Sequence, residues 1–550
     1  MPVNANGYIE PGSFAEYKPT SQFVTLPGGA RIVALIGKSK STLNVLSEEV
    51  VKGAAEGSDE LEYTATAVTE VKDNIQIYIK DTDYQLTDGK IDWSLATAAE
   101  MVGTEGVTTT TGKFDFGDDD LELVLTIDNG SDLTVTLTGE MSASEVVDAI
   151  NAVLLTSATA SVYTTSDSKD YIKIVTVATK NGIIEMGNGS ANAKLGFSSG
   201  VKIEGSKEPD EGDTYYVTYT RNKVTADYVP MYYFNTEDIF EEHGEPNTTN
   251  TVSLGAEIAF KQNASVVLIV PIRPDITPES QAFAYAIDQI KSKACNYVVA
   301  LTENATVRSY LKAHVVAMSN YLERKWRMAI FGLDSDPSNT TLASITSVAT
   351  GLGSTRCILV YPTQVEYPIQ NVGDTTIAGY YLAAAVAGMA ANSNYDVSEP
   401  LLRKEPTGFT EIPDVVGRTE KNILASAGVC IIDAPNGTSR IRHPLTTAQT
   451  GKPEDQEINI VEVIDYVAES STLVTEAMFV GTKILLSTPA LIKTAVSAYL
   501  GTLKKSTMIA DFSDITAVQD GTEPRQINVT FKFKPSWPCN WIYVVFTLMS

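Results

Sequence analysis

The sequence is poor in the residues on which most chemistry depends. Its 550 residues include three histidines and four cysteines. The cysteines stand far apart at 295, 357, 430 and 539, without a C-x-x-C pair, so their spacing offers neither a metal site nor a disulfide framework. Each falls in or beside an apolar stretch, where a thiol acts as a small hydrophobe, and a reducing compartment is the simplest setting. Basic residues are also scarce: 41 Lys and Arg against 68 Asp and Glu give a net charge of −27. Phosphate contacts need clustered cations, so no nucleic-acid partner is expected. No apolar run approaches the roughly eighteen residues of a spanning helix, so no membrane insertion is expected. The first thirty residues lack a basic start followed by an apolar run, and no secretory leader is expected.

What is present fits a large globular chain. Apolar residues make up 43% and charged residues 20%, ordinary values, and the length calls for several domains. Residues 1–28 read as an extended arm. Pro2, Pro11, Pro19 and Pro27 forbid a helix, and Tyr8, Ile9, Phe14, Tyr17 and Phe23 are apolar without helical spacing. A strand follows at 31–36. Residues 29–95 and 207–250 form a β-rich domain, with alternating stretches ending near Ser94 and resuming at Pro209.

Between them, residues 96–206 read as an inserted domain with strands at 121–127, 133–137 and 171–177. A helix at 142–155 is capped by Ser142 with Glu145 three residues on. Sixteen acids to six bases mark this block as surface-facing.

From 251 to 455 the rhythm changes to unbroken apolar strands (265–272, 296–302, 327–333, 356–362) alternating with amphipathic helices (279–294, 304–325, 338–350, 376–392). That pattern indicates a mainly parallel sheet covered on both faces. A C-terminal α+β domain (456–534) reads as a strand at 457–467, helices near 471–486 and 489–502, and a strand at 525–534. The last stretch, 535–550, carries a second alternating strand at 540–548. Rich in Trp, Tyr, Val and Phe, it must pair with a sheet edge in its own subunit or a neighbour.

Four candidate chemical motifs fail on context. Gly37-Lys38-Ser39 follows a strand but lacks the earlier glycine of a phosphate loop, since position 32 is Ile. Gly196-Phe197-Ser198-Ser199-Gly200 spells a nucleophile elbow, yet no helical pattern follows, and neither His243, His314 nor His443 is flanked as a triad base. Asp118-Asp119-Asp120 with Glu122 lacks calcium-loop spacing. The α/β region has no G-x-G-x-x-G loop for a dinucleotide. No catalytic, cofactor or metal site is therefore expected, and the chain reads as a structural protein.

The remaining pattern resembles the contractile-tail sheath family, of the myovirus tail-sheath type. Pro11-Gly12-Ser13-Phe14-Ala15-Glu16 is similar to the family's opening motif, and the strand and glycine at Ile32–Gly37 stand where it has its apolar strand. "TYYVTYT", "AEIAFKQNASVVLIVPI", "GYYLAAAVAGMAA", "ILASAGVCIIDAPNGTSRIRHPLTT" and, most closely, "INVTFKFKPSWPCNWIYVVFTL" follow in the family's order. Block 96–206 lies outside the shared core; its "SASEVVDAIN" and "SANAKLGFSS" resemble a module of flagellar hook-associated proteins and flagellins.

The resemblance implies an α/β sheath core with β-rich domains, a decorating domain on the outer surface and extended arms at both ends. It implies homo-hexameric rings stacked helically around a tail tube, with baseplate and tail terminator proteins as further partners. It also implies a virion tail assembled in the host cytoplasm, whose contraction drives the tube through the host envelope during genome ejection. Tyr8, Ile9, Phe14, Tyr17 and Phe23, with Trp541, Tyr543, Val545 and Phe546, would carry strand pairing between subunits. A phage-tail-like bacteriocin sheath is the same-class alternative, and a flagellar-type surface protein a distant one.

Overall fold

The structure, a computed structural model, describes residues 31–53, 58–73, 77–81, 83–93, 97–109, 112–177, 180–333, 340–413 and 416–546. It is a mixed α/β multidomain chain with one large mixed sheet and several small antiparallel ones. Two compact units divide it, one of residues 1–41 and 224–550, the other of residues 42–223.

The first unit is built on an eight-stranded sheet. Across it run Met231–Tyr233, Val266–Pro271, Ile32–Gly37, Tyr297–Ala300, Met328–Phe331, Cys357–Tyr361, Val429–Asp433 and Arg440–His443. The six inner strands are parallel, and the two outermost pair antiparallel. Inner strands such as Val266–Pro271 and Cys357–Tyr361 are buried at every residue, because helices cover both faces. One face packs on Thr251–Lys261 and Gly379–Ala390, the other on Glu279–Gln289, Ala305–Met318 and Leu342–Leu352. The small-residue helix Gly379–Ala390 is buried along nearly its whole length, as its composition requires.

Four stretches differ from the sequence expectation. Ile32–Gly37, expected in a β-rich domain spanning 29–95, lies inside the large sheet, paired in register with Val266–Pro271 and Tyr297–Ala300. All six of its residues are buried, which suits an inner parallel strand and not a half-exposed one. Residues 224–250 likewise fall in the first unit. The expected strand at 457–467 is the start of a 22-residue helix, Ile458–Phe479. Its Ile and Val residues satisfy a period of two as well as 3.6, and packing on the sheet's helical layer decides for the helix. The expected strand at 540–548 has no strand pairing through Phe546, and the rest lies outside the described residues.

In the second unit Thr214–Asn222 sits between Thr42–Val51 and Ala65–Asp73 in an antiparallel sheet. Residues 97–206 within the same unit gather a separate core around Leu123, Leu125, Ile150 and Ile174. Its helix Ala143–Leu154 begins at the capping box in which Ser142 and Glu145 satisfy each other's backbone N–H.

Candidate assembly surface

The C-terminal part of the first unit closes with a hairpin. Ile509–Gln519 and Ile527–Pro535 pair only with each other, leaving both outer edges of a two-stranded sheet open among the described residues. The alternation of Ile527, Val529, Phe531 and Phe533 turns those four onto the helices Ile458–Phe479 and Thr488–Lys505. Lys532 and Lys534 point the other way. Two strands alone are marginal in water, so this hairpin depends on the helices beneath it.

Past Pro535 the chain leaves the hairpin, with the Ser536 hydroxyl donating to the Thr507 carbonyl, and is fastened again at the edge of the large sheet. Asn540 Nδ2 donates to Glu457 Oε1 at 2.7 Å, and His443 Nε2 lies 2.9 Å from the same oxygen. The Trp541 ring stands edge-on to His443 with centroids 5.7 Å apart. Beyond this clamp the tail is held by little among the described residues: Trp541 to Phe546 are each between 72% and 91% exposed. Residues 541–546 form no backbone hydrogen bond among the described residues. A segment that presents Trp, Ile, Tyr, Val, Val and Phe on both faces, with its peptide groups unpaired, is costly to leave in water. It suits addition to an open sheet edge, where the main chain supplies directional bonds and alternate side chains supply fit.

Of the residues named from the sequence, Trp541, Tyr543, Val545 and Phe546 lie together on this tail. Tyr8, Ile9, Phe14, Tyr17 and Phe23 lie outside the described residues. Sequence reasoning missed the clamp of His443, Glu457 and Asn540, because its members are distant in the chain. It also missed the strand Ile509–Gln519, whose largely exposed, polar-rich face and two register shifts hide its alternation.

The rejected motifs are occupied by ordinary structure. The Lys38 ammonium pairs with Glu279 at 2.8 Å, and its backbone N–H donates to Thr251 Oγ1 at 2.8 Å. Ser198 follows a four-residue helix that ends at Gly196 in the left-handed conformation. The buried His314 ring sits 3.1 Å from Arg327 Nη1; burial, then that guanidinium, push its pKa down to about 4, which keeps it a neutral acceptor. Among the described residues no helix is long and apolar enough to cross a membrane, and no group of three His, Cys, Asp or Glu is placed to hold a metal.

Below the hairpin, buried ion pairs join the helix Ile458–Phe479 to the α/β layer. Glu462 accepts from Tyr297 and lies 3.5 Å from Arg31, whose other nitrogen donates to the Tyr395 carbonyl at 2.8 Å. Asp465 pairs with Arg356 in the same layer, and at the surface Glu476 pairs with Arg324 at 3.0 Å. Burial pushes the Glu462 carboxyl up to about 7, and Arg31 and Tyr297 offset this only in part.

The open hairpin and the exposed apolar tail, without strand partners among the described residues, are surfaces suited to pairing with another chain. Comparison with known proteins gives the class of protein to which such a chain is similar. A family described as "Phage tail sheath C-terminal domain" matches residues 453–548, the stretch holding the helix pair, hairpin and tail. A second, "Domain of unknown function (DUF4815)", matches residues 10–115. The tail sheath protein of Mycobacterium phage Bxz1 is 24% identical over 320 residues, 56% of this chain and 53% of that protein. The tail sheath protein of Bacillus phage SP01 is 26% identical over 261 residues, 47% of this chain and 44% of that one. The chain thus spans about half the length of the curated relatives it matches. The cryo-EM structure of the anti-feeding prophage helical sheath in the contracted state is 14% identical, covering 59% of this chain and 90% of that one, with a TM-score of 0.47. The chain is thus similar to contractile tail sheath proteins, and its residues 453–548 match the family of their C-terminal domain.

Proposed function

We propose that this protein is the sheath subunit of a contractile phage tail, polymerising as stacked hexameric rings around the tail tube. On contraction the sheath drives the tube through the host envelope during genome ejection. The observation that supports this reading most directly is the tail 541–546, apolar, exposed on both faces and without backbone partners among the described residues. It and the arm residues Tyr8, Ile9, Phe14, Tyr17 and Phe23 pair with the sheet edges of neighbouring subunits, and the open hairpin is a receiving edge. Such links persist as hinges while rigid bodies rotate, so a lattice rearranges without falling apart.

Each ring that compacts buries more subunit surface, worth roughly 25 cal/mol per Å² of apolar area, against the cost of crowding acidic bodies. Block 96–206 decorates the outer surface. The tube, baseplate and tail terminator proteins are its partners in a virion assembled in the host cytoplasm. A sheath of a contractile injection system or phage-tail-like bacteriocin uses the same physics; the added block favours the phage.

Removing residues 540–550 tests the reading. The shortened protein is expected to keep the full-length circular dichroism spectrum and melting of its folded units but to stay monomeric in sedimentation. Electron microscopy of the full-length protein should show rings or tubes. Normal tubes from the truncated protein would falsify the pairing role.

A further inference from the structure

The helices Ile458–Phe479 and Thr488–Lys505 are joined by a turn whose apolar side chains face solvent. Met478, Val480, Leu485, Leu486 and Leu491 are each more than half exposed, and Leu486 completely so. They are not stray core residues, because the second helix already buries the stripe Ile492, Val496, Leu500 and Leu503. The charge around the turn is equally unusual. From Ala477 to Ala510 there are four lysines and no acid, in a chain of net charge −27. Lys483, Lys493 and Lys505 are exposed, while Lys504 is held by Asp511 at 2.7 Å.

The opposite composition, seven acids with no lysine or arginine, occurs in two stretches of the same unit: Pro453 to Thr482, which leads into the turn itself, and Val224 to Phe260. In the latter the helix Thr236–His243 presents Glu237, Asp238 and Glu241 to solvent. Beside them Val229, Met231 and Phe234 are each more than 40% exposed, at an outermost strand of the large sheet. The acidic helix packs on Thr251–Lys261 and Met231–Tyr233, and the cationic helix on Ile458–Phe479 and the hairpin.

We propose that the cationic, leucine-bearing turn of one subunit docks on the acidic face at 229–242 of a second copy of this chain. The inference rests on the assembly reading above and adds a rigid side-chain contact to its strand exchange. Both patches combine desolvatable apolar residues with charge of a single sign, the arrangement that gives an interface a dry centre and a selective rim. A copy of the same chain supplies both signs. Because the two patches differ, the contact is heterologous: it propagates head to tail and closes into a ring or continues as a helix.

A charge swap in the full chain tests the contact. Lys483→Glu with Lys493→Glu places like charges together and should raise the protein concentration needed for assembly about tenfold or more. Leu486→Ser, at a fully exposed position that cannot disturb the core, should weaken assembly without changing its salt dependence. Adding Glu237→Lys and Glu241→Lys to the lysine variant should restore assembly, which a merely misfolded variant would not do. Assembly of the lysine variant at the wild-type concentration overturns the proposal. So does a loss that the compensating changes fail to restore, or a variant that self-assembles normally but no longer binds another tail protein. A wild-type protein that never assembles in sedimentation would instead defeat the assembly reading, and this inference with it.

Discussion

Glu462 occupies a position where three parts of the first unit meet: the strand that begins after Arg31, the Tyr297 strand and the long helix. Burial raises its carboxyl to about 7, while Arg31 keeps its charge because Tyr297 and Glu462 outweigh the cost of its own burial. The sign of the pH effect follows. Between the ordinary carboxyl value of 4.5 and about 7, the folded protein holds a proton that the unfolded chain releases. Stability from this group is therefore fully present below that window and is lost as pH rises through about 7, by up to about 3 kcal/mol. Urea unfolding of monomeric protein from pH 5 to 8 should show this decline, and Glu462→Gln, which cannot ionise, should flatten it. Equal slopes in the two proteins would remove Glu462 as the cause. None of this was legible in the sequence, where Glu462 sits in a stretch that reads as a strand and its partners lie at 31 and 297. Long-range charge pairs leave no local spacing to find.

At the scale of elements, the close approach of Gly379–Ala390 to Thr251–Lys261 depends on one missing side chain. A Cβ on Gly388 would stand 2.6 Å from the Ala259 carbonyl oxygen and 2.9 Å from its Cα. Alanine ordinarily gains up to about 1 kcal/mol over glycine inside a helix. Here it meets backbone that cannot step aside, and forced separation of packed helices costs about 1–3 kcal/mol. Gly388→Ala should therefore lower the melting temperature of the first unit by a few degrees; a stabilised variant would show that the helices are free to part. The helix itself was legible, since the small apolar run in "GYYLAAAVAGMAA" reads as a buried helix, and the parallel strands were legible from their unbroken apolar runs. Partners were not: Ile32–Gly37 reads as a strand of its neighbours in sequence, yet it lies beside Val266–Pro271. The tail's Trp, Tyr, Val and Phe read as a strand in need of an edge, and through Phe546 it has no strand pairing among the described residues. The fastening of Asn540 to Glu457 was hidden in the fold.

At the scale of the whole chain, residues 97–206 begin and end at one point. The Ser206 N–H donates to the Thr97 carbonyl at 2.8 Å, and the Thr97 N–H to Ser206 Oγ at 2.9 Å. The block's core, around Leu123 and Ile174, shares no residue with the neighbouring core of Trp93, Tyr215 and Tyr219. Contacts just past the junction, Lys207 N–H to Asp83 at 3.1 Å and Lys52 to Glu208 at 3.3 Å, need none of the excised residues. Replacing 98–205 by a short glycine linker should thus leave the rest folded and able to assemble. The excision also removes ten of the 27 net negative charges, and charge repulsion between crowded subunits falls with it. Screening shortens to about 10 Å at 0.1 M salt, so the full chain should assemble markedly better as salt rises from 0.01 M, and the excised chain should respond less. Sedimentation across a salt series compares them directly. An excised chain that folds yet stays monomeric at every salt concentration would make the block part of the lattice contacts, not an addition to its outer surface.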